Sequence, residues 1–456
     1  MAGKKTALIN DMTTGSITSQ IVRFTIPVFI GNLLQQIYTI ADAIIVGQCI
    51  GVEGLAAIGA TDWIYWLFLW TAVGFCQGFA IHIAIAFGKK DEAELRDSIN
   101  ASVTLSLVTG IAMTVIGVSL ARPMLRLLQT PENIVHDSSA FVTILYSGMI
   151  IVMLYNMSAN ILRALGDGKT PFIALAISSA VNIGLDLLTV SVLGMGVKGA
   201  AASTVIAQAL SVLYSYARIR RIPLIEGEDL KPRMHNPMLR PSWKKGFVMG
   251  LQMVLIAAGG VIVQYVVNGL GFLYVAGYTA GGKLLGLIES LAMSLGQSIT
   301  TFIGQNYGAG SRDRMKRGMR TAAVMSLVCY VATGLIIWAL ARPLLSLFIS
   351  AKADEAEDVM KIAYRYLLML ILFMFFLYMI HIYRQALVGC GRTILAMLSG
   401  FMETITRIGV SAGLVQFVSI DYLYFIEPIT WAGAGLFALV SWMVVFRRMH
   451  FPKRDF

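Results

Sequence analysis

Apolar residues along this chain come in long unbroken blocks, not in the short alternations of strands or the narrow stripes of water-facing helices. A helix needs about twenty such residues to span a bilayer. Twelve blocks are long enough: 21–46, 54–85, 99–120, 140–161, 171–193, 199–218, 247–267, 272–303, 322–340, 362–383, 394–418 and 428–446. The pattern predicts an all-α polytopic membrane protein with twelve transmembrane helices. One residue breaks the first block, since Asp42 stands between Ala41 and Ala43-Ile44-Ile45-Val46. A carboxylate at the centre of a membrane helix is about 2.5–3.5 kcal/mol uphill on insertion scales, so it is expected to face a cavity or a partner and to have a task.

The longest polar connection, about residues 219–245, carries Pro223, Pro232, Pro237 and Pro241 and divides the chain near its middle. Ala121-Arg122-Pro123 recurs as Ala341-Arg342-Pro343, and the same offset of 220 residues aligns Ser106-Leu107-Val108 with Ser326-Leu327-Val328 and Gln77 with Gln297. These matches predict a duplication: an amino-terminal six-helix bundle over 1–220, a cytoplasmic linker over 221–245 and a carboxy-terminal six-helix bundle over 246–456. Six is even, so the copies insert in the same sense, as parallel repeats of the kind found in alternating-access transporters.

Composition agrees, with 57% hydrophobic residues and only 13% charged, and a mean hydropathy of +0.74. The net charge of +11 does not call for nucleic acid, because the basic residues collect in alternate connections. Lys4 and Lys5, Lys89, Lys90 and Arg96, Arg312, Arg314, Lys316, Arg317 and Arg320, Arg384 and Arg392, and Lys453 and Arg454 fall on one side. The other side holds Glu53, Glu132, Asp137, Asp354 and Glu427, with Arg122, Arg126, Arg342 and Lys352 as exceptions. The positive-inside rule then places both termini in the cytoplasm of a cell-membrane protein. The polar start lacks the apolar core and small-residue cleavage site of a signal peptide, so the first helix serves as the targeting segment. Cys49, Cys76, Cys329 and Cys390 have no paired spacing and read as inert.

Counting from the outer turns gives depth. Asp186 and Thr204 each lie nine residues from the turn at Gly194-Met195-Gly196, and Asp42 lies nine before Gly51. All three are therefore about 13 Å in, at 1.5 Å per residue. Asn182 is one turn deeper than Asp186 on the same face. Two carboxylates, an amide and a hydroxyl can thus converge. They are hard oxygen ligands suited to sodium, and neighbouring carboxylates resist double ionisation, so the same cluster can hold a proton.

These residues and several motifs resemble the multidrug and toxic compound extrusion (MATE) transporters. The likeness is carried by Asp42 with Val46-Gly47, by Leu55-Ala56-Ala57-Ile58-Gly59 and by Leu162-Arg163-Ala164-Leu165-Gly166-Asp167. It continues through Gly199-Ala200-Ala201-Ala202-Ser203-Thr204 and Gly304-Gln305-Asn306-Tyr307-Gly308-Ala309. The resemblance implies the two-bundle MATE fold and an antiporter, without cofactor, that exports organic and often cationic compounds against sodium or protons. In the prokaryotic DinF-like branch it assigns Asp42, Asn182, Asp186 and Thr204 to an amino-terminal cation site. The acids that NorM-type relatives carry in helices seven and ten are missing here, which argues against a second site of that kind.

Four further polar residues are secondary candidates. Asp62 lies as deep on helix two as Asp42 on helix one, and its repeat counterpart falls beside Lys283. Glu403 and Arg407, four apart, form an expected intrahelical pair whose repeat counterparts fall close to Asn182 and Asp186. Glu289 has no evident partner. Gly168-Lys169-Thr170 is not a phosphate loop, because Arg163 stands where that motif requires glycine. The five histidines are too dispersed for a membrane enzyme. The chain is expected to act as a monomer on small organic substrates in the bilayer. The competing reading is a flippase for lipid-linked sugars, which would need a cationic cavity for pyrophosphate.

Overall fold

In lipid every backbone N–H and C=O must be satisfied within its own segment, which leaves helices as the local solution for apolar blocks of this length. The computed structural model describes residues 9–349 and 355–449, so Lys4, Lys5, Lys352, Asp354, Lys453 and Arg454 of the charge pattern lie outside it. The helices of the first half are α1 (Ile17–Cys49), α2 (Val52–Gly59), α3 (Asp62–Phe79), α4 (Ile81–Lys89), α5 (Glu92–Leu127), α6 (Glu132–Ser147), α7 (Met149–Ala164), α8 (Lys169–Asp186) and α9 (Gly196–Ile219). The second half has α10 (Leu239–Gly269), α11 (Phe272–Gly308), α12 (Arg312–Ser346), α13 (Ala356–Met379), α14 (Gln385–Gly389), α15 (Thr393–Ile408) and α16 (Ile426–Arg448).

Two differences from the expected twelve spans have clear causes. Among the described residues ten spans are long and apolar enough to cross a membrane, and α6 with α7, bent by 46° across Gly148, make an eleventh. A side chain at Gly148 would come within 2.7 Å of Val205, so glycine lets α9 pack into the bend. The remaining block is the 37-residue α11, whose Lys283, Glu289 and many glycines and serines dilute its apolarity. Block 54–85 is also broken: α2 ends at Ala60-Thr61, where Thr61 Oγ1 donates to the Ile58 carbonyl at 2.7 Å, and α3 starts afresh at Asp62.

Ile26–Gly250, with the described residues up to Met12, form one compact unit, and Thr13–Thr25 with the chain from Leu251 form another. The changeover lies inside α1 beside Pro27, whose missing N–H cannot bond to the carbonyl of Arg23 and so weakens the helix there. In the first unit Tyr146 is fully buried and donates to the Ile64 carbonyl at 3.0 Å, with the Phe68 ring 4.6 Å away. The proline-rich connection is tied along α5. Asn100, wholly buried, donates to the Lys231 carbonyl at 2.6 Å and accepts from Asn236 at 2.9 Å, and Arg96 pairs with Glu226. In the second unit α11 packs against α12, α13 and α14, and α16 against α13 and α15. The two halves share a backbone irregularity: α8 and α15 both run on into widened π-helical turns, at Leu187–Val192 and Gly409–Val415.

Within the first unit, the start of α10 is held by close backbone contact. A Cβ on Gly78 would lie 2.5 Å from Gly246 Cα and 2.6 Å from the Lys245 carbonyl, and the Trp243 ring stacks on Phe75 at 5.9 Å. Backbone cannot give way as a side chain can. Gly78→Ala is therefore expected to cost about 1–3 kcal/mol of stability, whereas Gly59→Ala, with nothing within 4 Å, should be neutral or stabilising. Thermal unfolding of the two detergent-purified variants checks this, and equal melting temperatures would contradict the contact.

Candidate cation site

α1 brings Asp42, α8 brings Asn182 and Asp186, and α9 brings Thr204, all within the first unit. The structure places the four together. Asp42 is half-buried, while Asp186 and Asn182 are 0% and 1% exposed. The two carboxyl groups lie within hydrogen-bonding reach of each other. Asn182 joins them to α9: with its amide nitrogen donating to Asp186 Oδ2 at 2.9 Å, its oxygen accepts from the Thr204 N–H at 3.2 Å. With the amide turned the other way, Nδ2 reaches Thr204 Oγ1 at 3.4 Å. Either orientation binds α8 to α9 at this level.

Local sequence explains the convergence. The small residues Gly199, Ala200 and Ala201 are buried on α9, and a Cβ on Gly199 would meet Thr189 at 2.9–3.0 Å, so α8 and α9 approach closely. Thr189 and Ser203 hydroxyls lie 3.0 Å apart just beyond the site. At the carboxy-terminal end of α1, Cys49 Sγ meets Ser191 Oγ at 2.9 Å. Asp186 is the last residue before the π-helical turns, a type of irregularity that recurs at functional positions.

The donor set suits a small hard cation. Oδ1 of Asp42 and Oδ1 of Asp186 are enclosed without a hydrogen-bond partner among the described residues. Buried carboxylate oxygens are normally paired, so both are open to a proton or a sodium ion. Two residues escaped the sequence reading. The Tyr38 hydroxyl reaches Thr204 and lies near both carboxylates, and Ser203 reaches Asp186. Tyr38 is four residues before Asp42 and hence on its face of α1, a signal that the sequence did contain.

The secondary candidates sort differently. Asp62 is exposed in the first turn of α3, where a carboxylate complements the helix dipole, and Lys283 is exposed on α11 in the other unit. Glu403 and Arg407 belong to a buried network. Arg407 Nη1 lies 3.2 Å from Glu403 Oε1 and Nη2 lies 2.9 Å from Glu427 Oε2, while Arg384 Nη1 lies 2.8 Å from Glu403 Oε2. Arg384 and Glu427, assigned by the charge pattern to opposite membrane faces, are 8% and 7% exposed inside the second unit. Glu289 does have a neighbour, since its Oε1 stands 3.7 Å from His381 Nε2.

Comparison with known proteins bears on this geometry. The MatE family model matches twice, over residues 27–188 and 249–412, once in each half of the chain. The probable multidrug resistance protein YoeA of Bacillus subtilis is 29% identical over 365 residues, 78% of this chain and 77% of that protein. The probable multidrug resistance protein YpnP of the same organism is 30% identical over 75% of this chain and 76% of its own length. A crystal structure of a MATE protein in complex with MaL6 superposes with a TM-score of 0.88 at 21% identity, covering 98% of this chain and 99% of that one, and so shares its fold. Matched along both halves, the chain belongs to the MATE family of membrane transporters.

Proposed function

We propose that this transporter exports organic, often cationic, compounds across the cell membrane in exchange for sodium or protons bound at Asp42, Asn182, Asp186 and Thr204. The observation that carries the reading is the apposition of the Asp42 and Asp186 carboxyls beneath the Asn182–Thr204 bridge. Two relatives named as probable multidrug resistance proteins support the substrate class. A bound cation removes repulsion between the carboxyls and draws α1 toward α8 and α9. Loss of the cation leaves two adjacent acids that repel. That change in the packing of α1 biases the two halves, 1–220 and 246–456, between states open to opposite sides, and a compound that prefers one state is carried outward. Tyr38 positions Thr204 and is the neutral wall of the site.

Asp62 complements the dipole at the start of α3, and Lys283 lies exposed on α11. Glu403 and Arg407 brace the second unit. The flippase reading is disfavoured by the same network, because the buried cations Arg384 and Arg407 are each matched by a glutamate, so this network offers pyrophosphate no net positive charge.

The test is uptake of a fluorescent organic cation into inverted proteoliposomes under an imposed sodium gradient with pH clamped, and under a pH gradient without sodium. One gradient should drive transport. Asp186→Asn or Thr204→Ala should raise the ion concentration for half-maximal transport about tenfold, the loss of one charge or one oxygen ligand to the bound ion, with compound affinity held within about twofold. Loss of compound affinity with an unaltered ion response would refute the assignment.

A further inference from the structure

A cavity of about 420 Å3 opens in the second unit between the start of α1 and the start of α12, with Gly15, Ser16 and Thr18 on one wall and Arg314, Arg317 and Arg320 on the other. It is unrelated to the cation site, which lies in the first unit. Arg314 builds the wall: it donates to the Gly15 and Thr14 carbonyls, each at 2.8 Å, and to Gln20 Oε1 at 2.7 Å. Gly15, at φ +75°, turns the chain sharply into α1.

Arg317 and Arg320 are different. They are three residues apart and so on one face of α12, both are exposed, and among the described residues neither has a hydrogen bond or an ion pair. Opposite them α1 begins with no acidic residue in its first turn. Its first N–H groups have no carbonyl four residues back within the helix, and the bond from the Gln20 N–H to the Ser16 carbonyl is where the ladder starts. Two unmatched guanidinium groups, the positive end of a helix and a hydroxyl-bearing rim at Ser16 and Thr18 thus face one cavity. Guanidinium forks bind oxyanions bidentately, and helix N-termini add oriented N–H donors. The cavity sits at the end of the helices that the charge pattern assigns to the cytoplasmic membrane surface, where anionic head groups lie.

We propose that this cavity binds a phosphate-bearing anion between Arg317, Arg320 and the start of α1, supplied by an anionic phospholipid head group or by a free phosphate. Occupancy would clamp the beginning of the helix that carries Asp42 to α12. The experiment uses the full-length detergent-purified transporter, titrated separately with phosphatidylglycerol in mixed micelles, with phosphatidylcholine and with inorganic phosphate, and read by native mass spectrometry and by melting temperature. Arg317→Gln with Arg320→Gln is compared with Lys316→Gln with Lys244→Gln, exposed residues off the cavity that remove the same charge. Phosphatidylglycerol is expected to be retained and to raise the melting temperature of the wild type. Its apparent affinity should fall about tenfold or more in the arginine pair and stay within about twofold in the lysine pair. If inorganic phosphate shows the same arginine dependence and phosphatidylglycerol adds nothing, the site stands with a soluble phosphate as its ligand. Equal loss in both pairs, or no loss in either, for both probes would overturn it.

Discussion

Asp42→Asn is expected to reduce cation-driven efflux to background while leaving an inserted, folded transporter. The side chain keeps its shape and can still hydrogen-bond to Asp186, but it no longer carries the second negative charge that makes the site hold a cation. Without ion binding there is no free energy to bias the two states. Coupling energies of about 1–3 kcal/mol correspond to about 5–150-fold, so the drive should fall by that order. Melting temperature should hold or rise, because replacing one of two adjacent acids by an amide removes a like-charge contact. The measurement is compound efflux from cells and ion-driven uptake into vesicles, set against the melting curve of the purified variant. Cation-dependent transport at the wild-type rate would sink the mechanism. Inactivity together with a collapsed melting temperature would give Asp42 a structural role.

The convergence of the four proposed cation-site residues was legible because the turns at Gly51 and at Gly194-Met195-Gly196 fix depth, and a helix converts depth and spacing into facing positions. Tyr38 obeys the same spacing but carries no charge, so composition did not single it out. The charge pattern counted Arg384 and Glu427 among the connections, whereas the structure buries both, for a physical reason. Counting charges by connection treats every ionisable residue near a helix end as solvated, yet Arg384 lies on the π-helical turns Ile380–Arg384, buried against Glu403. Charged partners on different helices leave no periodic signal. The bend at Gly148 was equally silent, since the residue packed into it, Val205, lies on a distant helix. Block 272–303 was found by length, and its polarity, unusual for a membrane helix, reflects the buried Ser290, Ser294, Ser298 and Thr301 along its inner face.

Glu403→Gln is expected to be the most destabilising single change in the second unit, by about 3–5 kcal/mol, the cost of leaving a buried charge without its partner. Glu403 is 6% exposed and serves two arginines at once, Arg384 at 2.8 Å and Arg407 at 3.2 Å. Arg407 would keep its two contacts with Glu427, at 3.3 and 2.9 Å, whereas Arg384 would have no remaining ion pair among the described residues. The network therefore predicts which second change rescues the first. Glu403→Gln with Arg384→Gln restores neutrality and keeps the Arg407–Glu427 pair, so its melting temperature should return most of the way to wild type. Glu403→Gln with Arg407→Gln has the same formal charge, yet it isolates Arg384 and also leaves Glu427 without its arginine, so it should melt no higher than the single variant. Equal recovery in both double variants would mean that net charge alone matters and that the observed pairing is irrelevant. A Glu403→Gln protein that melts like wild type yet loses ion-driven transport would instead move this network from bracing the fold to coupling.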